Sequence, residues 1–487
     1  MVRKAYLRGA AKHYSTSQEG KSMKNHRSFR GRTAVAAAGS LVLMAAALAG
    51  CSSSDGDSAA EDTAAEETTS EETPAEDTAA EEGEAQEEAA PEDSCNLLTL
   101  LGVDAADPLN GQTLKLGAVL PLSGGGEKAY GESMTKGIDL ALEDIAASGG
   151  PNIELDVKDN GTANPELSVT AINELGEAGT PAILSSLVNS FAAMNDGLVE
   201  YDILALDGGG GTATWNKGAP YFYGTRAVSP DDALVGMAEY LKGAYPDKKS
   251  YAVVTWQLDP ALNEMDKAAL TSTLEAAGME FSGTYEYVPF GGTDYASAIA
   301  KVKEANPDYV LVSIYGADPG VFASQAKAAG LESQMVGFEF TQGGLDASRG
   351  AWDEGWLFVQ DYFNHESPSS DLGACFAANF QEKYGENPDF YAANYYEGLL
   401  GLWELAREVQ ANGGDYNSGA DMLAALEADP TLVSVYGGDG ATAGSYTLDA
   451  ESHSVSERPI GVFEYKSGSV TPLASFGPGG SNYQALN

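Results

Sequence analysis

The sequence predicts an α/β protein with two lobes, each built on a mainly parallel β-sheet. From Leu114 to Phe338, short β-rich runs alternate with segments whose apolar residues have helical spacing. Strands separated by helices in this way imply parallel sheets with right-handed connections. About 393 residues follow residue 94, which exceeds the roughly 150–250 residues that one hydrophobic core usually supports. Two lobes are therefore expected.

The first unit shows the pattern on which the other elements are predicted. Leu114–Leu120 is a β-rich run, Pro121 and three glycines break it, and Met134, Ile138, Leu140, Ala141 and Ile145 then recur at helical spacing. The other predicted strands are Ile153–Val157, Pro181–Ser185, Ile203–Asp207, Ser250–Thr255, Tyr285–Tyr287, Tyr309–Ile314 and Gln334–Phe338. The predicted helices are Tyr130–Ala147, Pro165–Ala178, Ser190–Tyr201, Asn263–Ala277, Tyr295–Ala305 and Gly320–Ala329.

The N-terminal segment has the features of a lipoprotein export signal. Arg27, Arg30 and Arg32 precede an apolar run from Thr33 to Ala49, which closes with Leu48-Ala49-Gly50-Cys51. We therefore predict a signal peptide over residues 1–50 and lipid attachment at Cys51. A transmembrane helix is the alternative, but the run is shorter than the roughly 20 residues that a bilayer needs. Met23 is an alternative start to Met1.

Residues 51–94 are predicted to form a disordered acidic tether behind the lipidated cysteine. Residues 52–94 contain seventeen Asp and Glu but no Lys, Arg or aromatic residue, so they cannot bury enough apolar surface to fold. The body that follows carries a net charge of about −36, once the leader and tether are subtracted from the chain's −45. Such a charge argues against nucleic acid and against docking on anionic lipid.

Cysteine and histidine usage limits the chemistry available. With Cys51 lipidated, Cys95 and Cys375 are the remaining cysteines, and an oxidising compartment favours a disulfide between them. No CxxC and no zinc-ligand spacing occurs, so we expect neither a metal nor a cofactor. Only two histidines, His365 and His453, lie outside the leader, which leaves little for Ser-His or Cys-His catalysis.

Two blocks carry a resemblance to a known family. Leu114–Gly150 reads LKLGAVLPLSGGGEKAYGESMTKGIDLALEDIAASGG, and Asn306–Glu339 reads NPDYVLVSIYGADPGVFASQAKAAGLESQMVGFE. Both resemble the type I periplasmic binding proteins of the branched-chain amino acid ABC importers. The likeness runs across most of Leu114–Leu473 and is weak in the last hundred residues.

The resemblance implies two doubly wound lobes joined by a three-strand hinge, with the ligand in the cleft between them. On that pattern lobe one comprises residues 95–224 and 362–448, and lobe two comprises residues 225–361 and 449–487. It further implies a non-enzymatic, extracytoplasmic solute-binding lipoprotein. Such a protein delivers an amino acid or a related compound to the permease and ATPase subunits of an ABC importer.

Lobe one offers two candidate contacts for a ligand carboxylate. Asn189 and Ser190 open a helix after a strand, where free N–H groups favour an anion, although an ordinary helix cap is the alternative. Gly210, Gly211 and Thr212 follow the predicted strand Ile203–Asp207 and would let backbone amides approach a ligand. They resemble the family's carboxylate site, with glycines in place of alanines; a flexible turn is the alternative.

Lobe two offers the predicted ammonium contact. Glu339 ends a strand and aligns with the acidic residue that receives the ligand's ammonium in the amino-acid-binding members. Tyr315 and Tyr130 match family aromatics that contact the ligand, although core tyrosines are common. Trp256 stands where many members have Tyr-Gly, which argues against leucine, isoleucine or valine as the ligand.

Two other functions fit the same sequence less well. A ligand-sensing receptor lipoprotein would use the same fold, and neighbouring permease and ATPase genes would distinguish it from a transport protein. A secreted hydrolase would need a nucleophile with a base, and the resemblance places neither His365 nor His453 at the cleft.

Overall fold

The computed structural model describes residues 95–124, 128–161, 164–186, 191–210, 218–226, 230–257, 260–437, 443–455 and 458–486. The predicted signal peptide, Cys51 and the acidic tether lie outside the described residues. Among the described residues, no helix is both long enough and apolar enough to cross a bilayer.

The described strands form two eight-stranded sheets. In chain order they are β1 Thr113–Leu120, β2 Asn152–Asp159, β3 Ala182–Ser185, β4 Leu204–Asp207, β5 Phe222–Gly224, β6 Ser250–Trp256, β7 Glu280–Val288, β8 Tyr309–Ser313, β9 Gln334–Gly337, β10 Trp356–Asp361, β11 Thr431–Ser434, β12 Gly444–Asp449, β13 Ser454–Val455, β14 Ile460–Lys466, β15 Ser469–Phe476 and β16 Gln484–Ala485.

The α-helices among the described residues connect these strands and cover the sheets. They are α1 Leu97–Leu100, α2 Lys128–Ala147, α3 Pro165–Glu177, α4 Phe191–Glu200, α5 Pro230–Ala244, α6 Pro260–Ala276, α7 Ala296–Ala305, α8 Asp318–Ala328, α9 Gln342–Ser348, α10 Asp371–Tyr384, α11 Phe390–Ala411 and α12 Gly419–Ala428. Six of them, α1, α3 and α9 to α12, begin after a residue whose side chain caps the helix. Before α3, for example, the Asn164 side chain accepts the N–H of Glu166, and Pro165 takes the first position.

The first sheet has the order β11-β12-β13-β5-β4-β3-β1-β2. Its strands β1 to β5 are parallel, and β11 and β12 form an antiparallel edge. The strands β3 and β4 are buried along their whole length, as expected for parallel strands covered on both faces. Long helix α11 packs against α2 and against this sheet.

The second sheet has the order β16-β15-β14-β10-β9-β8-β6-β7. Strands β6 to β10 are parallel, whereas β14, β15 and β16 add an antiparallel edge. Two sheets of this kind with flanking helices confirm the predicted α/β fold class. The carboxyl ends of the parallel strands, where α/β proteins bind ligands, therefore define one edge in each lobe.

The chain passes between the sheets three times. It leaves the first sheet after β5, returns from the second after β10, and passes to the second again between β13 and β14. The third crossing lies later than the boundary at Asp449 taken from the resemblance. Ser454 pairs with Gly224 of β5, and Val455 pairs with Leu448 of β12, so β13 belongs to the sheet of lobe one.

A disulfide fastens the start of the described chain to lobe one. Cys95 and Cys375 are joined, with their Cα atoms 5.6 Å apart and a sequence separation of 280 positions. Cys375 lies in α10, and the neighbouring Leu97 and Leu100 are buried in the core of lobe one. The point where the acidic segment meets the folded body is therefore attached to lobe one.

Replacing both Cys95 and Cys375 by serine is expected to lower the free energy of unfolding by about 2–5 kcal/mol. The crosslink closes a long loop and so restricts the unfolded chain, although native-state effects also contribute. Urea unfolding of wild type and variant measures the difference. A reductant should bring the wild type to the variant's midpoint and leave the variant unchanged, and equal midpoints without reductant would contradict the expectation.

Candidate ligand-binding cleft

The carboxyl edges of the two sheets meet at a buried contact between the lobes. The backbone N–H of Gly316, just after β8, donates to the hydroxyl of Tyr130 in α2 at 2.5 Å. Beside it, the Tyr391 hydroxyl of α11 donates to Glu339 Oε1, at the end of β9, at 3.0 Å. These contacts locate the candidate cleft at the edge where parallel strands place their ligand-binding loops.

Glu339 is buried and already paired within the protein. Its side chain is 4% exposed, and Oε1 lies 2.8 Å from Nη1 of Arg226. Sequence reasoning predicted that this carboxylate would receive a ligand's ammonium, but here an arginine of the same chain occupies Oε1. Burial raises the pKa of Glu339 above its usual value, while Arg226 and the Tyr391 hydroxyl oppose that rise.

Arg226 connects both lobes and two of the crossings. It lies two residues after the end of β5 at Gly224, where the first crossing begins. Its side chain is 2% exposed. Nε donates to Asp361 Oδ2 at 2.6 Å, at the second crossing, and Nη1 donates to the carbonyl of Gly209 in lobe one at 3.2 Å. The guanidinium carbon lies 4.5 Å from the ring centroid of Phe390, a cation–π geometry.

This cluster, defined as Arg226, Glu339 and Asp361, has unused hydrogen-bonding capacity. Arg226 Nη2, Glu339 Oε2 and Asp361 Oδ1 are buried and have no hydrogen-bond partner among the described residues. Buried polar atoms are rarely left unpaired, because each costs about 1–3 kcal/mol. The cluster also carries one positive charge against two carboxylates when both are ionised. An additional donor or positive charge would therefore stabilise it.

A second buried arginine occupies the third crossing. Arg458 lies between β13 and β14; its Nη2 donates to Glu397 of α11, and its Nη1 donates to Asn394 Oδ1 at 3.1 Å. Its guanidinium carbon lies 4.4 Å from the ring centroid of Tyr436. All three crossings thus carry a buried charged residue that is paired with another element.

The lobe-one side of the cleft is organised around Asp207 at the end of β4. Its Oδ1 accepts the N–H groups of Gly209 at 2.8 Å and Gly210 at 3.0 Å, and its Oδ2 accepts the Ser185 hydroxyl at 2.8 Å. Burial raises the pKa of Asp207, and these three hydrogen bonds oppose the rise. In this structure the N–H of Gly210, a predicted carboxylate donor, is directed to Asp207.

The other predicted lobe-one contacts fall outside the described residues. Asn189 and Ser190 follow the described end of β3, and Gly211 and Thr212 follow Gly210. Their role as carboxylate contacts stays a prediction.

The predicted aromatic residues lie along the edge of lobe two. Trp256 ends β6, and Tyr315 lies two residues beyond β8; their ring centroids are 5.4 Å apart. The indole Nε1 of Trp256 donates to Asp318 Oδ2 at 2.8 Å. Across the cleft, Tyr130 lies against Tyr391, with ring centroids 4.8 Å apart. The structure therefore brings Tyr130, Trp256, Tyr315 and Glu339 to one region.

Sequence reasoning missed Arg226, Asp361 and Tyr391. A signal for Arg226 was available, because only four arginines follow Cys95 in this strongly acidic chain, and two of them, Arg226 and Arg458, lie at crossings. Tyr391 and Asp361 carry no comparable signal, since tyrosines and acidic residues are abundant throughout the sequence.

The family model of the periplasmic binding proteins matches residues 113–469. The chain belongs to this family. A curated relative from Pseudomonas aeruginosa, a leucine-, isoleucine-, valine-, threonine- and alanine-binding protein, is 23% identical over 47% of the chain. A Leu/Ile/Val-binding protein homologue from Brucella melitensis is 26% identical over 46% of the chain. The chain spans about 60% of the length of these relatives.

Solved structures show the same fold. A leucine binding protein from Thermotoga maritima superposes with a TM-score of 0.63 at 18% identity, over 75% of this chain and 99% of that one. A solute binding protein of an ABC transporter from R. palustris, in complex with benzoate, gives a TM-score of 0.60 at 22% identity, over 77% and 98%. These relatives are binding proteins.

Outside the cleft, this periplasmic binding protein has a surface cavity of about 420 Å³ on lobe one. Val103 and Pro108, which lie between α1 and β1, and Glu404 of α11 line it. Burial raises the pKa of Glu404 to about 7, while the N–H of Val433 and the charge of Arg407 oppose the rise. Within the described residues, no group of three or more His, Cys, Asp or Glu has the arrangement to hold a metal ion.

Glu404 is expected to make the protein less stable as pH rises from about 5 to 8. Its pKa of about 7 lies above the unfolded value of 4.5, so the folded state keeps a proton that the unfolded state has lost. The stabilisation that comes from protonated Glu404 is complete below pH 4.5, and it disappears as the pH rises past 7. Glu404→Gln should flatten this part of the stability profile by roughly 2–3 kcal/mol.

Urea unfolding at pH 5 and pH 8 tests this expectation. The exposed Glu382→Gln in α10 serves as the matched control and should keep the wild-type profile. Identical profiles for Glu404→Gln and wild type would contradict it.

Proposed function

We propose that this protein is an extracytoplasmic, lipid-anchored solute-binding protein. It captures an amino acid or a related small compound with amino and carboxylate groups between its two lobes. It then delivers this ligand to the permease and ATPase subunits of an ABC importer. The observation that carries the proposal is the buried Arg226, Glu339 and Asp361 cluster at the carboxyl edges of both sheets, with its unpaired donor and acceptors.

The charges of the cluster support a ligand with an amino group. Glu339 Oε2 and Asp361 Oδ1 are acceptors without partners among the described residues, and the cluster lacks one positive charge when both carboxylates are ionised. An ammonium supplies both the charge and the donors. Arg226 Nη2, an unpaired donor on a guanidinium, suits a carboxylate. A ligand that carries both groups within a few ångströms therefore matches both kinds of unused atom.

The relatives support the same ligand class. The Pseudomonas aeruginosa and Thermotoga maritima proteins are named for amino acids. The benzoate-bound neighbour shows that this fold also accommodates a carboxylate without an amino group. With both carboxylates ionised, the net negative charge of the present cluster favours the ligand that brings an ammonium.

The N-terminal sequence supports lipid anchoring. Leu48-Ala49-Gly50-Cys51 closes an apolar run, and the acidic segment that follows is long enough to separate a membrane from the folded body. A sensory receptor lipoprotein remains the alternative of the same fold. Permease and ATPase genes beside this one would favour transport.

Glu339→Gln is expected to weaken binding of the amino-acid ligand by roughly a hundredfold or more. The change keeps the size of the side chain and removes its charge, so a desolvated ammonium would lose its counter-ion at a cost of a few kcal/mol. A thermal-shift screen of the purified full-length protein against amino acids, amides and small carboxylates identifies the ligand, and calorimetry then measures its affinity.

The matched control is Glu332→Gln, which alters an exposed carboxylate just before β9 and should leave the affinity unchanged. A loss smaller than about threefold in Glu339→Gln would show that the ligand's ammonium does not meet this residue. Stabilisation by sugars or nucleosides but by no amino-acid derivative would refute the proposed function.

Cys51→Ser is expected to abolish membrane anchoring, because serine cannot accept the thioether-linked lipid. The acidic segment should not retain the body by itself, since its charge opposes contact with anionic lipid. Cell fractionation should find the variant soluble or with its leader uncleaved, whereas the control Ser52→Ala should stay in the membrane fraction. A processed Cys51→Ser protein that still sediments with membranes would contradict lipid anchoring.

A further inference from the structure

An aromatic wall lines the carboxyl edge of the second sheet. It consists of Trp256, Phe290, Tyr315 and Phe338, each at or within two residues of the end of a parallel strand. The ring centroids of Trp256 and Phe290 are 4.3 Å apart, those of Trp256 and Tyr315 are 5.4 Å apart, and those of Tyr315 and Phe338 are 6.1 Å apart. These spacings are typical of tilted and offset aromatic pairs.

Asp318 holds the outer half of this wall in place. Its Oδ2 accepts the indole N–H of Trp256 at 2.8 Å and the backbone N–H of Gly291 at 2.9 Å. The side chain is buried, with 7% exposure for the residue, so its carboxylate is desolvated at a cost. One carboxylate therefore fixes both the indole and the loop that carries Phe290.

Phe290 remains 40% exposed although its ring packs against Trp256 and the N–H of the next residue, Gly291, is bonded to Asp318. A single exposed phenylalanine is ordinary on a protein surface. Here it lies against an anchored tryptophan at a ligand-binding edge, which offers an aromatic face to whatever enters the cleft.

The aromatic wall is continuous with the charged cluster. The rings of Tyr315 and Phe338 are neighbours, and Phe338 directly precedes Glu339. Gly316, next to Tyr315, is bonded across the cleft to Tyr130. A ligand whose charged groups meet Arg226 and Glu339 would therefore direct its side chain along the wall.

We propose that the ligand is an amino acid with an aromatic side chain, whose ring packs against Trp256, Phe290 and Tyr315. This inference rests on the function proposed above and names its substrate class. A ligand ring gains both buried area and favourable ring–ring geometry against these side chains, whereas an aliphatic side chain gains the area alone.

Calorimetry with four compounds separates the inference from the function on which it rests. Phenylalanine and leucine differ in the ring, and 3-phenylpropanoate and 4-methylpentanoate are their counterparts without the amino group. Phenylalanine should bind the purified full-length protein at least about fivefold more tightly than leucine, since each aromatic pair adds roughly threefold to tenfold.

Each outcome decides one of the two proposals. Equal or tighter binding of leucine overturns the aromatic inference and leaves the amino-acid-binding function standing. Equal binding of 3-phenylpropanoate and phenylalanine refutes the role of the amino group and leaves the ring preference standing. Failure of all four compounds to bind at millimolar concentration overturns the aromatic inference, and the wider thermal-shift screen then tests the function separately.

Phe290→Leu tests the wall itself. The change keeps an apolar side chain at an exposed position, so the fold should persist, and the preference for phenylalanine over leucine should fall by about threefold or more. Tyr221→Leu is the matched control. It removes an aromatic ring just before β5, at the amino end of that strand in the first sheet, and should keep the preference. An unchanged preference in Phe290→Leu would show that the ligand's ring does not contact this residue.

Discussion

The arrangement of the lobes depends on one buried guanidinium. Arg226 lies at the first crossing and bonds to lobe one through Gly209, to lobe two through Glu339, and to the second crossing through Asp361. Such buried ion pairs add little net stability, because desolvation offsets their attraction. Separating the partners while they stay buried is costly, however. The cluster therefore fixes how the crossings and the two carboxyl edges are placed relative to one another.

Under the proposed function, the same physics would link ligand binding to closure of the lobes. In an open cleft, water can hydrate Glu339 and Asp361, so their unpaired oxygens cost little. Closing the lobes would remove that water, and with both carboxylates ionised the excess negative charge of the cluster would then oppose closure. Under the proposed function, an ammonium supplies the missing charge only when both edges surround it. Such a ligand has a higher affinity for the closed form, which is the condition for shifting the population toward it.

The sequence predicted the alternating part of the fold well and the rest poorly. The eight strands predicted between Leu114 and Phe338 all exist. Strands β3, β4 and β8 are buried along their whole length, and such strands read as apolar runs. It missed β5, which has only three residues, the parallel strand β10, and the antiparallel edges formed by β11–β16. Strand β15 begins with three exposed residues, so its pattern is not that of a buried strand. The boundary at Asp449, which was taken from the resemblance, lies before β13, and this two-residue strand leaves no periodic signal that could have corrected it.

The site shows that a sequence can predict where binding residues lie but not which residues pair with them. The locations of Trp256, Tyr315 and Glu339 were predictable, because a strand end lies at the ligand-binding edge whatever the chain does elsewhere. The partner of Glu339 was not, since Arg226 is 113 residues away and their contact exists only when the two lobes meet. The family resemblance thus predicted where the acidic residue lies, but not which group pairs with it.

The scarcity of arginine was the remaining physical clue. In a body this acidic, an arginine between two sheets has carboxylates within reach on both sides, and burial there is tolerable only if they pair with it.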